Sequence, residues 1–356
     1  MSSQRIGYLD IAKGVGILLV VLGHNDLNTY ASFLYKIIFS FHMPLFFFIS
    51  GMFFKPEIEI VQLIKKRFHT LVKPYFFSIL LIYFVALFFS GRMGFYTIGY
   101  RIAKAFYGSG YYLDWVQMWF IPALFVVNLV AFGFHRLLSR FPGWVKWIGL
   151  PGMLAVGVWT IGWFYPYHLP FPNLELNGLP WNLDLALVAG FYYLLGFQVR
   201  QRVSERIIRS PWLLLGTSLT NLAIVINLPS VMDLNTRSYP YPLLSTVACL
   251  AGIFFILSLS YWLDKGPTWL AASLKYIGMA SLIILIFHTP IQSYLTKKMV
   301  ALIGSSTYVP LMVFPFAVLV PLLLYALFIR PNPALAWLYG MHDKFSLQFA
   351  GEEQDK

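Results

Sequence analysis

Residues 11–24 read Ile-Ala-Lys-Gly-Val-Gly-Ile-Leu-Leu-Val-Val-Leu-Gly-His, an apolar run that carries a cation at Lys13 and an imidazole at His24. An eleven-residue step is about three helical turns, so a helix projects both side chains from nearly one face, roughly 16 Å apart along its axis. Ionisable groups inside a membrane helix are expensive to bury, which makes the pair a functional-site hypothesis. The competing reading has Lys13 snorkelling to the headgroups and His24 ending the helix at the outer interface. Gly14, Gly16 and Gly23 line the same run. Small residues allow close approach of a neighbouring helix or a ligand, packing being the commoner use.

Composition sets the class. The chain has 356 residues, 59% hydrophobic and only 11% charged, with mean hydropathy +0.69. Soluble domains carry about 25% charged residues, so the expected fold class is all-α, a polytopic membrane protein. Aromatic residues make up 19%, which suits interfacial belts. The net charge of +12 is scattered among apolar spans and reads as topology signal, not as a nucleic-acid face. The single cysteine, Cys249, lies in an apolar run and supports neither an internal disulfide nor a thiolate metal cluster. Tyr8 to Leu22 is apolar but lacks a small-residue cleavage site before Asn25, so the first span is expected to remain in the mature protein.

Apolar runs of spanning length predict about ten transmembrane helices, at 8–25, 34–54, 75–90, 118–134, 147–164, 183–198, 212–228, 243–263, 277–295 and 309–329. With the N-terminus in the cytoplasm, the inside segments hold 18 Lys and Arg and the outside segments 7. That bias favours cytoplasmic N- and C-termini. The outside loop from Tyr165 to Asn182 contains no Lys or Arg, in agreement. No internal repeat is evident. Residues 1–330 read as one transmembrane domain. Residues 331–356 read as a short cytoplasmic tail, amphipathic at first and frayed at its polar end.

Five constellations carry candidate chemistry. Asp10 lies three residues before Lys13 and can pair with it; Asn25 and Asp26 follow His24. In the second span, His42 precedes Pro44 by two residues, and Ser50-Gly51 stand near its inner end. Pro44 can kink the helix and free a carbonyl for His42; a substrate contact at His42 is the other reading. The inside loop holds Lys65-Lys66-Arg67 and then Lys73-Pro74, either a lipid and topology signal or an anion pocket for a phosphorylated ligand. His288-Thr289-Pro290 falls in the outer half of the ninth span, as a packing partner or a site residue. Trp119, in Gln117 to Pro122, is an interface anchor or a platform for a sugar. Three intramembrane histidines raise the question of a metal, but no carboxylate or cysteine has ligand spacing, and no metal is expected. The chain has no phosphate loop, nucleophile elbow or dinucleotide fingerprint.

Taken together, these segments resemble the integral membrane acyltransferase family 3, and within it the branch of fucose 4-O-acetylase-like and nodulation-factor acetylase-like proteins. The resemblance covers nearly the whole chain. It rests on Tyr8 to Gly14 with Lys13-x10-His24, His42-Met43-Pro44 to Ser50-Gly51, Lys66-Arg67 to Pro74-Tyr75, Trp119 to Pro122, Phe191 to Gly196, and Tyr276-Ile277-Gly278 to Ser281 and His288. Lys13 stands where many members carry Arg, giving a point charge without a planar fork.

The resemblance implies a multi-pass protein of the bacterial cytoplasmic (inner) membrane. Its donor would be acetyl-CoA or another acyl-CoA, used as co-substrate from the cytoplasm with no bound cofactor. Its acceptor would be a hydroxyl of an extracytoplasmic or lipid-linked carbohydrate. Lys13, Lys66 and Arg67 would then hold the CoA phosphates, with Lys13 also forming the catalytic pair with His24. Neutral His24 would act as general base, with Asp26 a possible orienting partner and an acyl-histidine intermediate the alternative. Asn25, His42, Ser50, Trp119 and His288 would line the acceptor side or support it. A transporter or flippase for a lipid-linked sugar is the competing function, as it can use the same charges and aromatics. A structural role in envelope-polysaccharide assembly is the third reading.

Overall fold

Nine of the ten apolar runs each coincide with one helical segment, and the run 277–295 straddles the end of one helix and the start of the next. The computed structural model describes residues 6–90, 95–169 and 174–341. In chain order the helices are α1 (Gly7–Gly23), α2 (Ser32–Gly51), α3 (Ile60–Val85), α4 (Phe95–Tyr107), α5 (Val116–Ser139) and α6 (Gly143–Thr160). They continue as α7 (Pro180–Arg202), α8 (Pro211–Asn227), α9 (Pro242–Lys265), α10 (Thr268–Met279), α11 (Ser281–Ile303), α12 (Tyr308–Ile329) and the short α13 (Pro333–Leu338). Six of these are long and apolar enough alone to cross a membrane, and the α10–α11 pair makes a seventh if it counts as one span. The remaining runs fall on α1 and α8, of 17 residues each, and on α6, of 18. The protein is a polytopic, all-helical membrane protein. A small hairpin, β1 (Tyr167–Leu169) with β2 (Leu174–Leu176), lies in the loop before α7.

Three departures from the sequence expectation matter for the site. The Lys65-Lys66-Arg67 cluster is not in a loop: α3 begins at Ile60 and carries it in its first turns. A π-helical turn at Phe68–Val72 follows directly. The ninth span is a pair of helices bent by 77° between Met279 and Ser281. Residues 95–107, expected as loop, form α4; its sequence is amphipathic, so it gives no continuous apolar run. Of the charges used for orientation, Arg5, Arg92, Lys344 and Lys356 lie outside the described residues, as does the polar end of the tail. Residues 331–341 do not hang free. Asn332 caps α13, its side chain accepting from the backbone N–H of Ala334 and Leu335. Lys73 of α3 donates to the Trp337 carbonyl and lies 3.6 Å from the centre of its ring.

Pro44 explains the break inside α2. Its ring removes the N–H that would bond the carbonyl four residues back, at Ser40. The helix accordingly divides into Ser32–Phe39 and His42–Gly51. The hydroxyl of Ser40 turns back to the Ile37 carbonyl at 2.7 Å.

Two glycine pairs set the closest helix crossings. A Cβ at Gly14 would lie 2.2 Å from the Leu274 carbonyl oxygen, and one at Gly278 1.9 Å from that of Asp10. On the other side of the bundle, a Cβ at Gly51 would meet the Tyr193 oxygen at 1.7 Å, and one at Gly196 the Phe48 oxygen at 2.0 Å. Backbones at such distances admit no side chain, so α1 is pressed onto α10 and α2 onto α7.

At the end of the bundle that carries His24, the loop before α9 is tied to the start of α7 by a buried ion pair. Arg237 Nε donates to Asp184 Oδ2 at 2.7 Å, and Nη2 to Asp184 Oδ1 at 3.1 Å and Asn182 Oδ1 at 3.0 Å. The two charged side chains are 1% and 0% exposed. Arg237, an outside charge in the topology count, is thus a bidentate clamp between the loop before α9 and the first turns of α7, and removing one partner leaves a buried charge.

Gly278→Val is expected to lower stability by about 1–3 kcal/mol, the usual cost of overpacking, because the obstructing atom is backbone. Gly216→Ala, with no atom within 4 Å of the new Cβ, is expected to leave the melting temperature of the detergent-solubilised protein unchanged. Equal melting temperatures for both variants would remove the crossing from the account.

Candidate active site

One face of α1 lines a cavity. Ile6, Asp10, Lys13, Ile17 and Val20 all border it, in steps of four and three that trace a single helical stripe. Facing them are Met43, Phe46, Ser50 and Phe53 of α2 and the segment after it, Phe120, Ile121 and Leu124 of α5, Arg200 of α7, and Ser281, Leu282 and Leu285 of α11. The volume is about 510 Å³.

The lining changes character along its length. Asp10, Lys13, Ser50, Arg200 and Ser281 cluster toward the end at which α1 begins. Ile17, Phe46, Phe120 and Leu124 make an apolar middle. At the far end stand Val20, Met43 and Leu285, and each leads to a histidine. The Val20 carbonyl accepts from His24 Nδ1 at 2.9 Å. The Leu285 and Ile284 carbonyls accept from His288 Nδ1 at 3.0 and 2.9 Å. Met43 adjoins His42, whose Nδ1 donates to the Ile38 carbonyl at 3.1 Å.

The three imidazoles meet across helices. The His24 ring centre is 5.7 Å from that of His288 and 6.4 Å from that of His42. A carbonyl only accepts, so every Nδ1 carries its proton and every Nε2 is the acceptor of the neutral ring. His42 and His288 are buried, at 4% and 0% exposure, while His24 is partly accessible. The Nε2 of His288 is buried with no hydrogen-bond partner. His24 is the next position on the α1 stripe after Val20 and has a fixed tautomer, but neither it nor His42 nor His288 is itself among the residues that line the cavity; each adjoins one that is.

At the opposite end, Lys13 Nζ lies 3.2 Å from Asp10 Oδ1 and 4.8 Å from the centre of the Phe53 ring. The pair keeps the ammonium on the cavity wall and partly offsets its desolvation. The second cation there is Arg200, which sequence alone places among the topology charges; the available signal is its position one turn after the Phe191 to Gly196 segment.

The other candidates take varied places. Ser50 lines the cavity. Trp119 is buried and is not among the lining residues, although Phe120 and Ile121 beside it are; its carbonyl accepts from Asn182 Nδ2 at 3.2 Å. Asn25 is buried: its side-chain amide donates to the Pro310 carbonyl, and its backbone carbonyl accepts from the Tyr30 hydroxyl at 2.7 Å. Asp26 is exposed with φ +53°, and the Nδ1 of His24 is bonded to the Val20 carbonyl. Lys66 is exposed; Arg67 is half-buried beside the Tyr193 hydroxyl, with its Nε buried and unpartnered. Neither borders the cavity, but Leu71, one turn beyond Arg67, does. Among the described residues, no group of three His, Cys, Asp or Glu side chains is placed to hold a metal ion.

The family model for acyltransferase family 3, described as an acyltransferase domain, matches residues 6–330. The chain belongs to that family and is a membrane acyltransferase. No curated protein and no solved structure matches it.

Cavity access is open to direct measurement, because the natural cysteine is buried. Ser50→Cys is expected to react with a membrane-impermeant thiol reagent applied from the Lys13 side, whereas Cys249 stays unmodified. Protection of the new thiol at a rate matching Cys249 would show that the cavity is closed to solvent.

Proposed function

We propose that this membrane acyltransferase moves an acyl group, acetyl in the first instance, from cytoplasmic acyl-CoA at the Lys13 end to a carbohydrate hydroxyl at the His24 end. The observation that carries the reading is the α1 stripe: its cavity-lining positions Lys13, Ile17 and Val20 lead, one turn further on, to His24 and the two imidazoles beside it. Lys13 and Arg200 supply charge for CoA phosphates, with Lys66 and Arg67 on the neighbouring α3. The pantetheine arm is long and thin, and the apolar middle of the cavity suits it. The axial distance of roughly 16 Å from Lys13 to His24 lets one ligand reach from the charged mouth to the imidazoles. The positive-inside bias supports a cytoplasmic Lys13 end. The resemblance to the sugar O-acetylase-like branch supports a carbohydrate acceptor, free, lipid-linked or polymeric.

In this mechanism His24 Nε2 removes the proton from the acceptor hydroxyl as its oxygen attacks the thioester carbonyl. A C–O bond forms, the tetrahedral intermediate collapses, and the C–S bond breaks. The proton passes from the imidazolium to the departing thiolate, so the base is regenerated. The Nδ1 hydrogen bond to Val20 fixes the ring and carries part of the imidazolium charge, a role that Asp plays in hydrolase triads. His42 and His288 flank the reacting centre and restrict where an acceptor oxygen can sit.

The test is transfer of labelled acetyl from acetyl-CoA to a panel of carbohydrate acceptors by the purified chain. His24→Ala is expected to lower kcat by about 10²–10⁴-fold, the usual worth of general acid–base catalysis, with the KM for acetyl-CoA little changed. Lys13→Gln is expected to do the reverse and raise that KM. Absence of CoA-dependent transfer to every acceptor would overturn the reading, and full activity in His24→Ala would remove the base. A stable acetyl-imidazole captured by rapid quench would replace direct transfer with a two-step route.

A further inference from the structure

A second cavity, of about 600 Å³, lies where α8 begins and α9 ends; the end of α9 adjoins the start of α1, where Asp264 lies against Gly7, so the cavity is at the Lys13 end of the bundle. Arg206, Arg209, Lys265, Tyr261 and Trp262 line it, together with the Ser210–Pro211 turn that starts α8. It shares no lining residue with the cavity along α1, and the acyl-transfer mechanism makes no use of it.

Its chemistry is one-sided. Three cations face it and no carboxylate does. The acids nearby in sequence are Glu205, next to Arg206, and Asp264, which is engaged by Lys275 at 2.5 Å. None of the three cations forms an ion pair among the described residues. The first turn of α8 adds the positive end of a 17-residue helix. The walls are aromatic, and around them Trp212 is 79% exposed, Trp269 70% and Trp262 45%. Exposed indoles at one level of a membrane bundle mark the headgroup boundary, where their apolar bodies and N–H tips are both satisfied.

We infer that this pocket is a binding site for the phosphodiester of an anionic membrane lipid. The arginines offer planar forks that match phosphate oxygens in pairs, and Lys265 adds a point charge. Trp262 and Tyr261 give the glycerol and the first methylenes an apolar wall. The exposed indoles of Trp212, Trp262 and Trp269, at the adjoining ends of α8, α9 and α10, favour a lipid over a soluble phosphate, since such residues sit at headgroup depth and not in bulk water. Basic pockets between helices at such a boundary recognise acidic headgroups. The inference stands apart from the acyl-transfer reading, and either can fail alone.

The full chain, purified in neutral detergent, is titrated with fluorescent phosphatidylglycerol or phosphatidylcholine, and retained lipid is counted by native mass spectrometry. Phosphatidylglycerol is expected to bind in preference. Combined Arg206→Gln, Arg209→Gln and Lys265→Gln is expected to weaken it by at least about tenfold, given what each basic residue contributes near an acidic surface. Arg136→Gln with Arg140→Gln, a basic pair elsewhere, is expected to change it by less than about twofold. Equal loss in both variants, or no preference for the anionic lipid, would overturn the site. Displacement of the lipid by inorganic phosphate or by acetyl-CoA at matched ionic strength would also overturn it, since the pocket would then serve a soluble phosphate. If the triple variant does not fold, Arg209→Glu and Lys265→Glu made singly give the same readout, each expected to weaken phosphatidylglycerol alone.

Discussion

The crossing of α1 over α10 is the contact on which the site depends. Gly14 and Gly278 let the two backbones approach until a carbonyl oxygen occupies the space of a Cβ. That approach anchors the first half of the bent pair against α1. The 77° bend between Met279 and Ser281 then sends α11 across the bundle, and His288 arrives 5.7 Å from His24. Without the crossing, the imidazoles have no reason to meet.

A membrane interior tolerates such a cluster only if its polar atoms are placed. Each of the three imidazoles satisfies its donor on a carbonyl of its own helix, four residues back. The arrangement is local, and it leaves the Nε2 of His24 for a reacting partner, while that of His288 stays buried. The cations are treated differently. Lys13 is held by Asp10 and Phe53 at the mouth of the cavity, and Arg237 is locked into Asp184 at the other end of the bundle. The wall between is apolar, which separates a charged entrance from a titratable centre.

Much of this is legible in the sequence because it is local. Nine of the ten apolar runs each coincide with one helical segment, and the eleven-residue step from Lys13 to His24 fixes one stripe by helical geometry alone. Pro44 announces the break in α2, and Gly14, Gly51, Gly196 and Gly278 stand in the segments that carry the family resemblance. What escapes depends on contacts between distant segments. The bend before Ser281 contains no proline and leaves no periodic trace. α4 is amphipathic and reads as loop when only apolar runs are counted. Arg200 and Arg237 look alike in a charge count, yet one borders the cavity and the other is buried in an ion pair. The partner that orients His24 is a main-chain carbonyl, which no side-chain spacing reveals, whereas proximity in sequence points to Asp26.

The axis from Lys13 to His24 is tested most directly by a cryo-EM structure of the protein with an unreactive thioether analogue of acetyl-CoA. The account predicts nucleotide density at the Lys13 and Arg200 end, the pantetheine arm along the α1 stripe, and the acyl carbon in van der Waals reach of His24 Nε2. Nucleotide density at the Asp184–Arg237 end, or an acyl group remote from the three imidazoles, would contradict it.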